Sequence, residues 1–480
     1  MKGKKSLAQN YIYNMLYQLL AIIAPLITTP YVSRVLAADG LGQYSYTLSI
    51  VTYFGLFGKL GLDVYGQLKI AESRNDPQKL SANFWGILAA RTVCTLIATC
   101  GYLFLILFSH QYRAMYTVLL VFLGSQLFDI IWLCQGLEEF KTVLMRNIIV
   151  KLLCTILVFL FVKAKDDLLL YAFLMQGSIL VGNLLILPSL KQILVPVKLR
   201  DISVLPHLKN SLVYFIPTIA TSIYTLLDKS MLGWISASDF ENGYYEQAHK
   251  IEQILVTVVT ALSTVTLPRL KFMFSQGKDG EARNIIDDTT VLVMAIALPM
   301  ATGLLVMSPH LIPWFLGDGY DKCIRLLQVF SLLIPIVGLN NIVGKQCLMA
   351  TGRQKYYNYG VIAGACTNVI LNLLLIPGLR SLGATIASVI SEAVILLIFI
   401  LYAKDYLHAP KYLIPFLKYT LASLVMGLGV YWSGSLLSGT VGIFLQLFTG
   451  IVIYGLLLII TGDPLVAKGL NMVKKKFLKK

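Results

Sequence analysis

Ionisable side chains interrupt stretches that are otherwise apolar, and their types set what this chain is able to bind. They include the basic Lys59, Arg91, Lys151, Lys229, Lys250 and Lys345 and the acidic Asp129, Asp228, Glu246, Glu252 and Glu392. Arg34 closes the outer end of the first apolar stretch. A charge at the centre of a bilayer costs at least about 2.5 kcal/mol on insertion scales, so such groups face a bundle interior or a wet cavity. Lys and Arg there can hold an anion, and carboxylates beside them can exchange partners or take up a proton.

Depth separates these residues. Lys59, Lys345 and Asp129 lie close enough to the ends of their stretches to snorkel to the interface. Arg91 and Lys151 lie roughly 14 Å in, at about 1.5 Å per helical residue, where a cavity role and a packing role stand level. Asp228, Lys229 and Lys250 share a depth of about 10 Å by the same rise, and Glu246 stands one turn above Lys250 on the same helix face. Two readings stay open for this group: a structural ion-pair network, or a site for an anionic group gated by exchange among the pairs. Glu392, near the midplane, is either a titrating carboxylate or a hydrogen bonder between helices.

Other chemistries find no support. The nearest approach to a phosphate-cradling GxxxxGK[ST] loop, Gly338 to Gly344-Lys345, has the wrong spacing and is followed by Gln346. His110, His207, His249, His310 and His408 are dispersed, and the seven Cys form no CxxC pair. No metal or other cofactor is expected. A membrane polymerase or ligase would need a sizeable outer loop for its catalytic groups, and every outer connection is short. The reading is transport, not enzymatic catalysis.

The elements that carry these residues follow from composition. Of 480 residues, 57% are hydrophobic and 13% charged, with mean hydropathy +0.74; soluble domains carry roughly 25% charged residues. Stretches of about 20 apolar residues cross the bilayer as helix, and fourteen are expected, over 9–34, 41–63, 82–109, 113–134, 142–163, 168–190, 208–236, 243–268, 285–308, 322–349, 357–377, 382–403, 412–433 and 440–462. The fold class is all-α, a polytopic membrane protein. The net charge of +16 points to a membrane and not to nucleic acid because of its placement. Of 40 basic residues, 27 fall on one set of connections with the termini, 7 on the alternate set and 6 within spans. Lys2, Lys4, Lys5 and the tail from Lys468 to Lys480 belong to the larger set, which places both termini in the cytoplasm. A cleaved signal peptide is not expected, since Tyr, Asn and Gln interrupt the first apolar run.

A faint internal repeat relates the two halves. Asn10 recurs as Asn210, Ala37-Ala38-Asp39 as Ala237-Ser238-Asp239, and Gly42-Gln43-Tyr44 as Gly243-Tyr244-Tyr245. It implies an N-lobe over 1–200, a C-lobe over 201–408 and two appended helices with a basic tail over 409–480.

Longer stretches carry a resemblance. Asn10, Pro30-Tyr31-Val32-Ser33-Arg34-Val35-Leu36 and Gly40-Leu41-Gly42-Gln43-Tyr44 resemble the opening of the Wzx-type oligosaccharide flippases, members of the multidrug/oligosaccharidyl-lipid/polysaccharide exporter superfamily. Asp228-Lys229-Ser230-Met231-Leu232-Gly233, Leu267-Pro268-Arg269, Ala350-Thr351-Gly352-Arg353, Asn368 to Asn372 and Leu382-Gly383-Ala384 to Ser391-Glu392 follow in the family's order. The resemblance implies two six-helix lobes plus two helices, moving undecaprenyl-pyrophosphate-linked oligosaccharide across the bacterial plasma membrane by alternating access. It also implies a cationic cavity, onto which Arg34, Arg91, Lys151, Lys229 and Lys250 are placed as substrate-binding residues. Asp228, Glu246 and Glu392 become gating or ion-coupling carboxylates, and Tyr244 and Tyr245 either stack on sugar or form an interfacial belt. The implied partners are the lipid-linked oligosaccharide, membrane lipids, and a polysaccharide polymerase with its export machinery. The rivals are a multidrug exporter, whose cavity should lean acidic, a peptidoglycan-precursor flippase, and a membrane polymerase or ligase.

Overall fold

The structure, a computed structural model, describes residues 7–465, with side chains from residue 23 onward except those of 140, 199, 216–225, 262–265, 268 and 409. The Asn10 side chain and the terminal lysines therefore lie outside the described residues, as does the Pro268 side chain. Helices follow one another in chain order. The first nine are α1 (Leu7–Lys59), α2 (Leu62–Ser73), α3 (Pro77–Phe108), α4 (Arg113–Leu127), α5 (Ile131–Gly136), α6 (Phe140–Phe161), α7 (Leu168–Leu184), α8 (Leu190–Ile193) and α9 (Leu205–Ser236). Then come α10 (Asp239–Ser275), α11 (Asp279–Leu316), α12 (Asp321–Phe330), α13 (Leu333–Asn340), α14 (Gln354–Leu379), α15 (Ser381–Ala403), α16 (Ala409–Leu436) and α17 (Gly439–Ile460). Among the described residues there is no strand.

The fourteen expected crossings are recognisable in this order. α1 supplies two, divided at Ala37, whose φ of 55° breaks an otherwise continuous helix. α4 with α5 makes the fourth. The tenth is assembled from α12, α13 and a π-helical segment, Asn341–Met349. Among the described residues, eleven helical segments are long and apolar enough to cross by composition alone, the first of them spanning Ile23 to Ser73. The 32 residues of α9 and the 37 of α10 likewise exceed the length needed for about 30 Å of hydrocarbon. This is a multi-pass membrane protein.

Local chemistry sets the boundaries. Asp76-Pro77 starts α3: the Asp76 carboxylate accepts from the Gln78 and Lys79 N–H groups, and proline at the first helical position loses nothing, since its missing N–H would have had no partner there. α9 ends on Ala237 with φ 46°. The two alanines aligned by the repeat, Ala37 and Ala237, thus both have positive φ, although ψ is 177° at the first and 34° at the second; such backbone persists only where surrounding structure enforces it.

The chain divides into two compact units, Met1–Gly243 and Tyr244–Lys480. In the first, α1 packs on α3, α4 and α6, and α9 lies on α1, α2 and α3. Its core includes Leu36, Val51, Tyr102, Leu119 and Val158, and a second cluster stacks Phe84 on Trp132 at 5.5 Å. In the second unit the main pairs are α14 with α15, α11 with α16 and α16 with α17. Large apolar side chains such as Phe104, Leu107, Leu428, Trp432, Phe448 and Ile451 point outward, as a lipid-facing surface requires.

Candidate functional site

In the first unit, Arg91 projects from α3 into the place where two helices break. α1 stops at Lys59, the chain turns through Leu60 and Gly61 at positive φ, and α2 begins at Leu62; α4 ends at Leu127 and α5 begins at Ile131. Fully buried, the guanidinium reaches the Asp63 carboxylate, stands 3.4 Å from Asp129 Oδ2, and donates from Nε to the Gln126 carbonyl at 3.0 Å. Lys59 completes the group at 3.0 Å from Asp63 and 3.8 Å from Asp129. Two cations face two carboxylates, so the cluster is neutral. The Arg91 fork holds both helix breaks together and turns its donors toward protein.

Lys59 and Asp129, expected to snorkel outward, are instead drawn into this network, because each finds an opposite charge nearer than the interface. Asp63 was missed by the sequence reading. Its signal is the i,i+4 spacing from Lys59, at the end of the apolar stretch 41–63.

The remaining cations are differently placed. Lys151, on α6, is half-buried and, among the described residues, has no carboxylate within ion-pairing distance. Lys229 is half-buried beside the buried Asp228, and the next residue, Ser230, shares a hydrogen bond of 2.8 Å with the Tyr53 hydroxyl. Arg34 is exposed, three residues before the Ala37 break.

The second unit brings Glu246 and Lys250 together at 3.3 Å along one face of α10, with Lys250 about a third exposed. Two residues on, Glu252 is buried, its nearest basic group being His249 at 4.0 Å. Glu392 on α15 accepts from the Asn340 amide at 2.6 Å, and the same amide donates to the Glu392 backbone carbonyl at 3.0 Å. Asn340 is the last residue of α13, next to the π-helical segment. Such segments often mark functional sites, since the extra backbone residue leaves carbonyls without their usual partners.

Tyr245 corrects the sequence reading. It is buried, stacked on His249 at 5.9 Å, edge-on to Phe330 at 5.4 Å, with its hydroxyl 3.3 Å from Ser388. A ring so enclosed neither stacks on sugar nor lies in an interfacial belt. Tyr244 is half-buried, edge-on to Tyr320.

The repeated glycines meet. A Cβ on Gly42 would press on the backbone of Asp239 and lie 2.6 Å from the Gly243 nitrogen, and one on Gly243 would press on the Ala38 backbone. Nearby, Tyr112 donates to Asp239 at 2.9 Å and Lys165 pairs with Asp39 at 2.6 Å. Only glycine permits this crossing, and both repeat copies supply one.

Apolar helices in this number, with cations held inside them, define a transporter-like membrane protein. The family model described as polysaccharide biosynthesis protein matches residues 7–274, and that described as lipid II flippase MurJ matches residues 142–450. The chain belongs to the polysaccharide biosynthesis protein family, among the Wzx-type flippases of the multidrug/oligosaccharidyl-lipid/polysaccharide exporter superfamily. A relative from Escherichia coli K12 named as an O-antigen transporter is 23% identical over 408 residues, covering 84% of this chain and 98% of its own. A relative from Haloferax volcanii, named as the low-salt glycan biosynthesis flippase Agl15, is 23% identical over 242 residues, about half of either chain. In fold, the chain is similar to lipid II flippase MurJ in an inward closed conformation, with TM-score 0.76 at 16% identity over 96% of this chain and all of that one. An inward-facing MATE multidrug transporter matches with TM-score 0.62 at 13% identity, over 82% of this chain and 99% of that one.

Proposed function

We propose that this protein is a transporter and not an enzyme: a flippase that carries undecaprenyl-pyrophosphate-linked oligosaccharide from the inner to the outer leaflet of the bacterial plasma membrane by alternating access. A sugar headgroup cannot shed its water into hydrocarbon, whereas a polyprenyl tail stays there at no cost, so the protein need only offer a polar path beside lipid. The observation that carries the reading is Lys151, a half-buried cation inside a crossing helix with no carboxylate among the described residues to neutralise it. Such a group is tolerated where an anion visits it. Lys229 and Lys250 are the other cations proposed to hold the pyrophosphate, with Arg34 at the rim and Arg91 fixing the walls around them. Asp228, Glu246 and Glu392 are proposed to compete with substrate for those cations or to couple an ion. The two-lobed division over 1–200 and 201–408, cytoplasmic termini, and hand-over to a polymerase and export machinery belong to the same proposal. Outward movement of an anion runs with a cell-negative potential, at about 2.3 kcal/mol per charge per 100 mV.

The test is outer-leaflet appearance of labelled lipid-linked oligosaccharide in vesicles holding wild-type protein, Lys151→Ala, Lys229→Ala or Lys250→Ala. Loss of flipping with retained fold is the expected outcome. Wild-type rates in all three remove the cationic path, and efflux of cationic amphiphiles without flipping would place the chain with the multidrug exporters instead.

A further inference from the structure

At the end of the second unit where α10 runs into α11 and α15 into α16, two arginines converge on one ring. Arg283 Cζ stands 5.4 Å and Arg353 Cζ 4.9 Å from the centre of Tyr406. Arg353 closes the Ala350-Thr351-Gly352-Arg353 motif, to which the proposed substrate path assigns no role. Gly352, at φ 77°, turns the chain out of the π-helical segment, and the Arg353 N–H donates to the Leu348 carbonyl at 2.8 Å, fixing where its side chain leaves.

The two guanidinium groups are unequally served. Arg353 donates to the Tyr402 carbonyl at 3.1 Å and lies 3.6 Å from Asp405, a carboxylate 58% exposed. Among the described residues, Arg283 has no carboxylate within ion-pairing distance, and its buried Nε has no hydrogen-bond partner. Asp287, one turn further along α11, is already taken by His408 at 2.8 Å, Lys411 at 3.1 Å and the Tyr412 hydroxyl. The Tyr406 face attracts both cations but cannot cancel their repulsion. Two fixed guanidinium groups against one solvated carboxylate leave a net positive, geometrically defined site.

Its surroundings say which anion. Tyr402, 40% exposed and stacked on Tyr356 at 4.3 Å, adjoins Leu401, 59% exposed. Tyr and Trp gather where acyl chains give way to headgroups, so a lipid-facing apolar surface borders the arginines on one side and polar loops on the other. Guanidinium forks match phosphate oxygens two at a time. We propose that Arg283, Arg353 and Tyr406 form a binding site for the phosphate of an anionic phospholipid headgroup.

The experiment is native mass spectrometry of the full-length protein in detergent, titrated with phosphatidylglycerol, phosphatidylcholine or glycerol 3-phosphate. Wild-type protein should retain phosphatidylglycerol in preference to the other two. Arg283→Gln should weaken that retention about fivefold, the loss of one basic residue worth roughly 1 kcal/mol at a headgroup layer. Arg283→Lys, which keeps the charge and loses the fork, should fall between, and Arg113→Gln, an exposed cation at the start of α4, should match wild type. A smaller rise in melting temperature with added phosphatidylglycerol should accompany Arg283→Gln. Equal retention by Arg283→Gln and wild type, or equal retention of phosphatidylcholine and phosphatidylglycerol, overturns the proposal. Glycerol 3-phosphate binding as well as the lipid would also overturn it, since the ligand would then be a soluble phosphate.

Discussion

Arg91 in the first unit and Lys250 in the second are both basic residues inside crossing helices, and they are held in opposite ways. Arg91 is fully buried, with two carboxylates and a carbonyl around it and Lys59 balancing the charge. Lys250 is about a third exposed and has one carboxylate, Glu246, at 3.3 Å on its own helix. A buried charge whose partners are complete has no capacity left for a ligand; it fixes structure, and removing one member strands the others. A half-exposed charge with a single neighbouring carboxylate can change partners at small cost. Counting charges in a membrane span therefore does not locate a binding site. Counting the partners each charge lacks comes closer, and by that measure Lys151 and Lys250 stand apart from Arg91.

The largest expected effect tests the closed side of this contrast. Arg91→Ala should cost about 3–5 kcal/mol of stability, because Asp63 and Asp129 would be left facing Lys59 alone; thermal unfolding in detergent measures it, and a loss below about 1 kcal/mol would reduce the network to a surface-like pair. Next, Gly243→Ala should destabilise by about 1–3 kcal/mol, since its methyl group would press on the Ala38 backbone; wild-type melting would mean that the crossing opens freely. Lys250→Ala should leave melting within about 0.5 kcal/mol while lowering flipping about tenfold, as expected for one charge-assisted contact of about 1.4 kcal/mol. The reverse pattern, lost stability with unchanged flipping, would make the two cations alike.

The smallest effect lies outside the membrane. Asp463, just beyond α17, is pushed up by burial, yet Lys418 at 2.7 Å and the Tyr419 hydroxyl at 3.0 Å hold it below the usual carboxylate range. Its contribution is whole above the unfolded value of about 3.9 and is lost as pH falls through the lower folded value. The stability difference between wild type and Asp463→Asn should accordingly be flat at neutral pH and shrink below about pH 4. A difference growing toward acid would show that the carboxylate is not held as an ion.

How much was legible in the sequence differs from residue to residue. The Glu246–Lys250 pair was readable because both members lie one turn apart on a single helix, where spacing alone sets proximity. The α9 terminus and the α1 break were readable from the repeated Ala and Asp, although not the positive φ that both alanines adopt. Arg91 could be assigned a depth but no partners: Asp63 is 28 residues before it and Asp129 is 38 after it, and nothing periodic links three separate helices. Tyr245 was misjudged for the same reason, since burial against Phe330 and Ser388 is a property of packing.

Composition and apolar run length by themselves determined that this chain is all-α, that it crosses a membrane about fourteen times, and that basic side chains such as Arg91 and Lys151 lie within those crossings. Those conclusions are local: hydrocarbon admits only backbone whose hydrogen bonds close within each helix, so every crossing is written in about 20 consecutive residues. Tertiary structure alone decided which charges are neutralised. Ion pairing depends on distances of 3 to 4 Å between side chains on different helices, and those distances are fixed by kinks, glycine crossings and packing that no single stretch of sequence encodes.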